Sequence, residues 1–336
     1  MINQNSPEYE KETVILAQID LTTGSIPKTL LRFAFPMICG NLLQQLYNVA
    51  DTLIVGRFLG SDALGAVGSS YTLMTFLTSI LLGLCMGSGA LFSVCWGQRD
   101  LARLRRQTHA AFVLIAVCTV VLNAAAFLLL DAMKTLLSVP AEVWPLMRSY
   151  LFVIFFGIGG TFLYNYYASL LRAVGNSLVP LLFLAASAVL NIALDLVFVL
   201  VCRWGVEGAA AATVLAQWLS GIGTAVYTLV RCPELRARRE ERRITGSMLR
   251  ELLSASVLTC LQQSVMNLGI LMVQGRINSF GPVIMAAFAA AVKIDSFAYM
   301  PLQDFGNAFS TFIAQNYGAQ RPERIRRGIR TAVLLS

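Results

Sequence analysis

The stretch Gln44-Gln45-Leu46-Tyr47-Asn48-Val49-Ala50-Asp51-Thr52-Leu53-Ile54-Val55-Gly56-Arg57 returns, altered, as Gln262-Gln263-Ser264-Val265-Met266-Asn267-Leu268-Gly269-Ile270-Leu271-Met272-Val273-Gln274-Gly275-Arg276. The match extends outward. Thr23-Gly24-Ser25 pairs with Thr245-Gly246-Ser247, and Arg103-Leu104-Arg105-Arg106 pairs with Arg324-Ile325-Arg326-Arg327. The separation is 218 residues at Gln44, 219 at Arg57 and 221 at Arg103. A period of that size is too long for a solenoid unit and fits a duplicated lobe. Membrane transporters are commonly built from such duplications, with substrate sites near the interface of the repeats. The second copy runs for about 90 residues before Ser336. The expectation is therefore a truncated duplication whose intact form holds two units, about 440 residues in all.

Composition agrees with a membrane protein. Of 336 residues, 57% are hydrophobic and 13% charged, against a soluble average of roughly a quarter charged. Apolar runs near 28–55, 63–95, 108–130, 143–170, 178–201, 206–230, 247–274 and 283–316 can each cross a hydrocarbon core of roughly 30 Å as a helix. A ninth run begins near 328. The expected fold is an all-α polytopic membrane protein. A polar segment over 1–27 precedes a six-helix lobe over 28–230, a linker over 231–246, and the first two to three helices of a second lobe over 247–336. Because six is even, both copies start on the same side, so the repeats are parallel and related by an axis along the membrane normal.

The net charge of +8 reads as topology rather than nucleic-acid binding. With the N-terminus placed inside, 17 arginines flank the inner ends of the spans, against five Arg or Lys at the outer ends (Arg57, Lys134, Arg148, Arg203, Arg276). The positive-inside rule then puts the N-terminus in the cytoplasm of a multi-pass plasma (inner) membrane protein. The arginines set orientation and meet anionic lipid headgroups. Residues 1–27 carry neither the apolar core nor the cleavage site of a signal peptide. Seven scattered cysteines without a CxxC, together with one histidine, predict no disulfide, zinc or haem framework. The spacing Gly83-x-x-x-Gly87 suits close helix packing.

Ionisable side chains inside a bilayer cost roughly 2.5–3.5 kcal/mol on insertion scales, so each demands a reason. Asp51 shares a helical face with Tyr47 and Asn48, three to four residues earlier. Asn191 and Asp195 are four apart in the fifth span, and Thr213 and Gln217 are four apart in the sixth. Three helices thus offer oxygen-bearing stripes within an apolar wall, suited to a proton or to a hard cation such as sodium. Burial penalises a charged carboxylate, and two neighbouring carboxylates resist sharing a site without a proton or cation between them. Pro36 lies fifteen residues before Asp51 and removes a backbone hydrogen bond, which can bend the helix. The repeat maps Asp51 onto apolar Ile270 while keeping Asn48 as Asn267, so ion handling is expected in the first lobe alone. Gln262, Lys293 and Asp295 are candidate secondary substrate contacts. Asp304, which follows Pro301, receives no role.

Taken together, Pro36, the run Gln44 to Thr52 with Val55-Gly56, Asn191-Ile192-Ala193-Leu194-Asp195, Gly208-Ala209-Ala210-Ala211-Ala212-Thr213 and Trp96-Gly97-Gln98 resemble the multidrug and toxic compound extrusion family, in its prokaryotic type. The resemblance covers about residue 24 to the end. It implies two six-helix lobes flanking a V-shaped cleft, here incomplete. It also implies export of small organic, often cationic, compounds in exchange for protons or sodium, by a monomer without further cofactors. The cation site implied is Asp51, Asn191, Asp195 and Thr213, with Pro36 as the point about which helix 1 bends; helical spacing adds Tyr47, Asn48 and Gln217 in support. A branch of the family places an acid in helix 7, where this chain has Gln262 and Gln263.

Two other functions make different demands on the sequence. A flippase for lipid-linked oligosaccharide precursors would favour a strongly basic cavity, whereas the first-lobe spans hold Lys or Arg only near their ends, such as Arg32 and Arg172. An intramembrane enzyme would need a nucleophile with its base, or metal ligands at helical spacing, and neither pattern is present, so no catalytic residue is assigned.

Overall fold

The apolar runs become helices close to the predicted limits. The computed structural model describes residues 18–335. Its first lobe comprises α1 (Ile26–Leu59), α2 (Ser61–Gly97), α3 (Leu101–Leu128), α4 (Trp144–Ala173), α5 (Leu178–Val201) and α6 (Gly205–Arg231). The linker holds two short 3-10 turns before α7 (Gly246–Asn278), α8 (Pro282–Gly318) and α9 (Pro322–Leu335). Two helices deviate locally. The middle of α4 tightens into a 3-10 turn at Phe155–Gly157, and α5 widens to π-helix at Leu196–Val201, directly after Asp195. By contrast α1 runs unbroken through Pro36.

Six helices, α2 to α7, are long and apolar enough to cross a membrane. The other two predicted spans, α1 with 34 residues and α8 with 37, match them in length. Their hydropathy is diluted by polar residues that face the centre of the molecule: Asn41, Gln44, Gln45, Asn48 and Asp51 on α1, and Gln303, Asp304, Asn307, Ser310 and Thr311 on α8. Outer faces carry the opposite character. Leu128 is 84% exposed and Leu258 76%, as suits faces turned to lipid.

Glycines set how the lobes meet. A Cβ at Gly83 would collide with the backbone of Cys260, and one at Gly87 with Ser256, so α2 and α7 approach backbone to backbone, as small-residue spacing allows. Further along the pair, Thr72 Oγ1 donates to Gln274 Oε1 at 3.1 Å and Ser69 Oγ to Asn278 Oδ1 at 3.0 Å. Gln274 Nε2 donates to Asn278 Oδ1 at 2.7 Å, and Asn278 Nδ2 to the Leu137 carbonyl at 2.9 Å. These buried amides tie both lobes to the loop after α3. The face bearing the linker is closed by the N-terminal segment, where Leu21, Leu30, Phe33 and Met37 pack on Ala308 and Phe312 of α8. On the same face Arg105 donates from Nε and Nη2 to both carboxylate oxygens of Glu241, at 2.8–3.0 Å, and Arg103 pairs with Glu251.

Candidate functional site

A cavity of about 550 Å³ lies between the lobes, lined by α1, α2, α4, α5, α6, α7 and α8. Its polar wall follows from helical spacing. On α1 the residues Asn41, Gln44, Gln45, Asn48 and Asp51 all reach it, three or four residues apart save for one adjacent pair, so one stripe of the helix faces inward. Thr213 and Gln217 of α6 also line it, one turn apart.

The aspartates predicted to act together are together. Asp51 is 7% exposed on the cavity wall, and Asp195 is fully buried behind it. Each is close enough to the other to interact electrostatically, and both act on the buried phenol of Tyr150 from α4. Neither carboxylate oxygen of Asp195 has a hydrogen-bond partner among the described residues, and the same holds for Asn191 Oδ1. Asn191 Nδ2 donates to Thr213 Oγ1 at 3.4 Å, and Thr213 Oγ1 donates to the Ala209 carbonyl at 3.1 Å. The four residues therefore form one oxygen-rich cluster spanning α1, α5 and α6, with Asp51 and Thr213 on the cavity wall and Asn191 and Asp195 buried behind them. Tyr47 is buried next to Asp51, and Asn48 Nδ2 donates to Gln45 Oε1 at 3.5 Å. Pro36 stands apart, half-buried, four turns toward the linker face.

On the second lobe one expectation needs correction. Gln262 is exposed and lies off the cavity, whereas its neighbour Gln263 is buried and lines it. Adjacent helical residues differ by roughly 100° in direction, and the packing of α7 on α2 turns Gln263 inward. Asp295 reaches the cavity wall. Lys293 sits on the same helix, with its side chain outside the described residues.

Two functional candidates escaped sequence reading, and a third, Asp304, carried no assigned role. Tyr150 belongs to no polar stripe, and only the packing of α4 brings it to the aspartates. Arg172, expected at the membrane edge, lines the cavity, because its long side chain reaches inward from the end of α4. Asp304 is 3% exposed and also lines the cavity. Its Oδ1 accepts a hydrogen bond from Asn41 Nδ2 at 2.5 Å across the two lobes. The signal available in sequence was the cost of a buried charge, which applied to Asp304 as much as to Asp51.

Comparison with known proteins bears on this arrangement. The MatE family model matches residues 36–197 and 255–336. The probable multidrug resistance protein YpnP of Bacillus subtilis (strain 168) is 30% identical over 312 residues, covering 91% of this chain and 68% of that protein. YoeA of the same organism, also a probable multidrug resistance protein, is 28% identical over 319 residues, covering 93% and 69%. Among solved structures, a MOP superfamily transporter from Pyrococcus furiosus superposes with a TM-score of 0.85 at 23% identity, over 95% of this chain and 71% of that one. A multidrug resistance MATE family transporter in its outward-facing conformation superposes with a TM-score of 0.80 at 23% identity, over 95% and 71%. These superpositions establish a shared fold.

Proposed function

The chain belongs to the MatE family, and from that premise we propose that it is a secondary active multidrug exporter, moving organic cations out in exchange for protons or sodium. The names of its relatives in Bacillus subtilis, both probable multidrug resistance proteins, support drug export. The observation that carries the mechanism is the Asp51–Asp195 pair in one oxygen-rich pocket beside the cavity. Charged together, these carboxylates repel in a medium that screens them weakly. A proton or sodium ion entering the pocket relieves the repulsion, and its departure restores it. Asn191 and Thr213 supply further oxygens for the ion, and the Tyr150 hydroxyl adds a polar neighbour.

Coupling then follows from where Asp51 sits. It belongs both to the ion pocket and to the cavity wall, so occupancy of the pocket changes the charge a cationic compound meets. Compound and coupling ion compete for the same negative charge, which is the requirement for exchange. The helix that carries Asp51 contains Pro36, whose missing backbone hydrogen bond lowers the resistance to bending, and we assign the movement of α1 to that point. The linker face, rich in arginine, is the cytoplasmic side. A flippase for lipid-linked precursors is disfavoured, because Arg172 is the one Arg or Lys among the described cavity-lining residues.

Ethidium efflux from cells expressing the chain, driven in turn by a proton-only and a sodium-only gradient, tests the proposal. Efflux under either gradient supports it and names the ion. Accumulation equal to that of cells without the chain under both gradients defeats it.

A further inference from the structure

The repeat puts an acid where the first lobe has a glycine. The helices α2 and α8 are both 37 residues long, and their bounds are shifted by 221 residues at each end. Gly83 therefore corresponds to Asp304. Gly83 allows α2 to lie against the backbone of α7, a contact that needs no charge. At the matching contact between α8 and α1, Asp304 is held by Asn41 through Oδ1 alone. Its Oδ2 is buried and has no hydrogen-bond partner among the described residues.

A purely structural tie would not leave that oxygen unsatisfied, because a buried carboxylate oxygen without a donor is costly. Nor is Arg172 the missing partner. It lines the same end of the cavity and acts on the charge of Asp304, but the two form no ion pair within 4 Å among the described residues. The guanidinium Nε of Arg172 likewise has no partner. The cluster is separate from the ion pocket: Asn41 and Asp51 are ten residues apart on α1, about 15 Å along the axis. Around Asp304 the wall is polar, with Gln303, Asn307 and Tyr164.

We propose that Asp304 is a second ligand-binding carboxylate, which receives an organic cation bearing an N–H group on the linker side of the cavity. Asn41 orients the carboxylate, and Arg172 opposes the ligand's charge. This rests on the reading of the chain as an exporter of organic cations. An N–H donor from the ligand completes the hydrogen bonding of Oδ2, and a charge-assisted bond of this kind is roughly twice as strong as a neutral one. Arg172 sets a threshold, since a ligand binds only if it outcompetes that positive charge. The two residues must then act with opposite signs, which no packing role predicts.

Ethidium binding to the purified chain in detergent, followed by fluorescence, tests this. Asp304→Asn is expected to weaken binding about tenfold, equivalent to about 1.4 kcal/mol, and Arg172→Gln to tighten it severalfold. Unchanged binding in Asp304→Asn, or equal weakening in both variants, overturns the assignment. No ethidium binding by the unsubstituted chain defeats the underlying export reading instead. Should Asp304→Asn fail to fold, Asn41→Cys in a chain with its native cysteines replaced by serine decides the matter. A cationic thiosulfonate reagent labelling that position faster than an anionic one supports the proposal, and an equal or reversed preference overturns it.

Discussion

Gly97 at the end of α2 and Gly318 at the end of α8 pack into each other's helices in the same way. A Cβ on Gly97 would meet Gln315 and Ala319, and one on Gly318 would meet Val94 and Gln98. Each pair of neighbours is the other shifted by 221 residues. Such reciprocity is the mark of a two-fold axis, which here passes between the glycines on the linker face. The duplication read from Arg103 and Arg324 is thus a physical pseudo-symmetry of the folded chain. Gly97→Leu and Gly318→Leu should therefore destabilise the protein to a similar degree, on the order of 2 kcal/mol each by overpacking. Thermal melting in detergent checks this, and a large drop for one variant alone would contradict the axis.

The symmetry is broken where the chemistry is expected. Asp51 lines the cavity from α1, while its repeat counterpart Ile270 lines it from α7. Asp51→Asn and Asp195→Asn should each cut gradient-driven ethidium efflux about tenfold or more, because one carboxylate alone no longer needs an ion to relieve repulsion. Initial efflux rates in loaded cells measure this. If both variants export at the unsubstituted rate, the ion pocket is misassigned.

Asn278 joins α2, α7 and the loop after α3 through three hydrogen bonds. Asn278→Leu would strand the Leu137 carbonyl in a buried site and take the acceptor from the Ser69 hydroxyl, at about 1–3 kcal/mol. The expected result is a lower melting temperature, with the Ser69→Ala variant milder, because Gln274 retains Asn278 as an acceptor. A Ser69→Ala drop exceeding that of Asn278→Leu would invert this ranking.

Hydrogen bonding from Arg105 holds the Glu241 carboxyl below its ordinary range. A lowered folded-state pKa means the linker clamp contributes fully above the unfolded value of about 4.3 and loses its contribution as pH falls through the folded value. Limited proteolysis of the 231–246 linker should therefore accelerate below about pH 4 in the unsubstituted chain. Glu241→Gln should already be cut faster at neutral pH, with little further change on acidification. Equal cleavage of the two at neutral pH would show that the clamp does not hold the linker.

Local reading of the chain determined a great deal. Helix limits followed from runs of apolar residues, because a backbone in lipid must satisfy its own hydrogen bonds and has few ways to do so. The duplication followed from matched residues such as Gln44 and Gln262. The stripes carrying Asp51, Asn191 and Thr213 followed from the helical period. What that period cannot supply is the rotation of one helix against another, which depends on contacts such as Gly83 on Cys260. Only those contacts selected Gln263 over Gln262 for the cavity, carried Tyr150 to the paired aspartates, and turned Arg172 inward from the membrane edge. They also brought Asn41 to Asp304 across 263 positions of chain, making a buried acid with no sequence-assigned role part of the cavity wall.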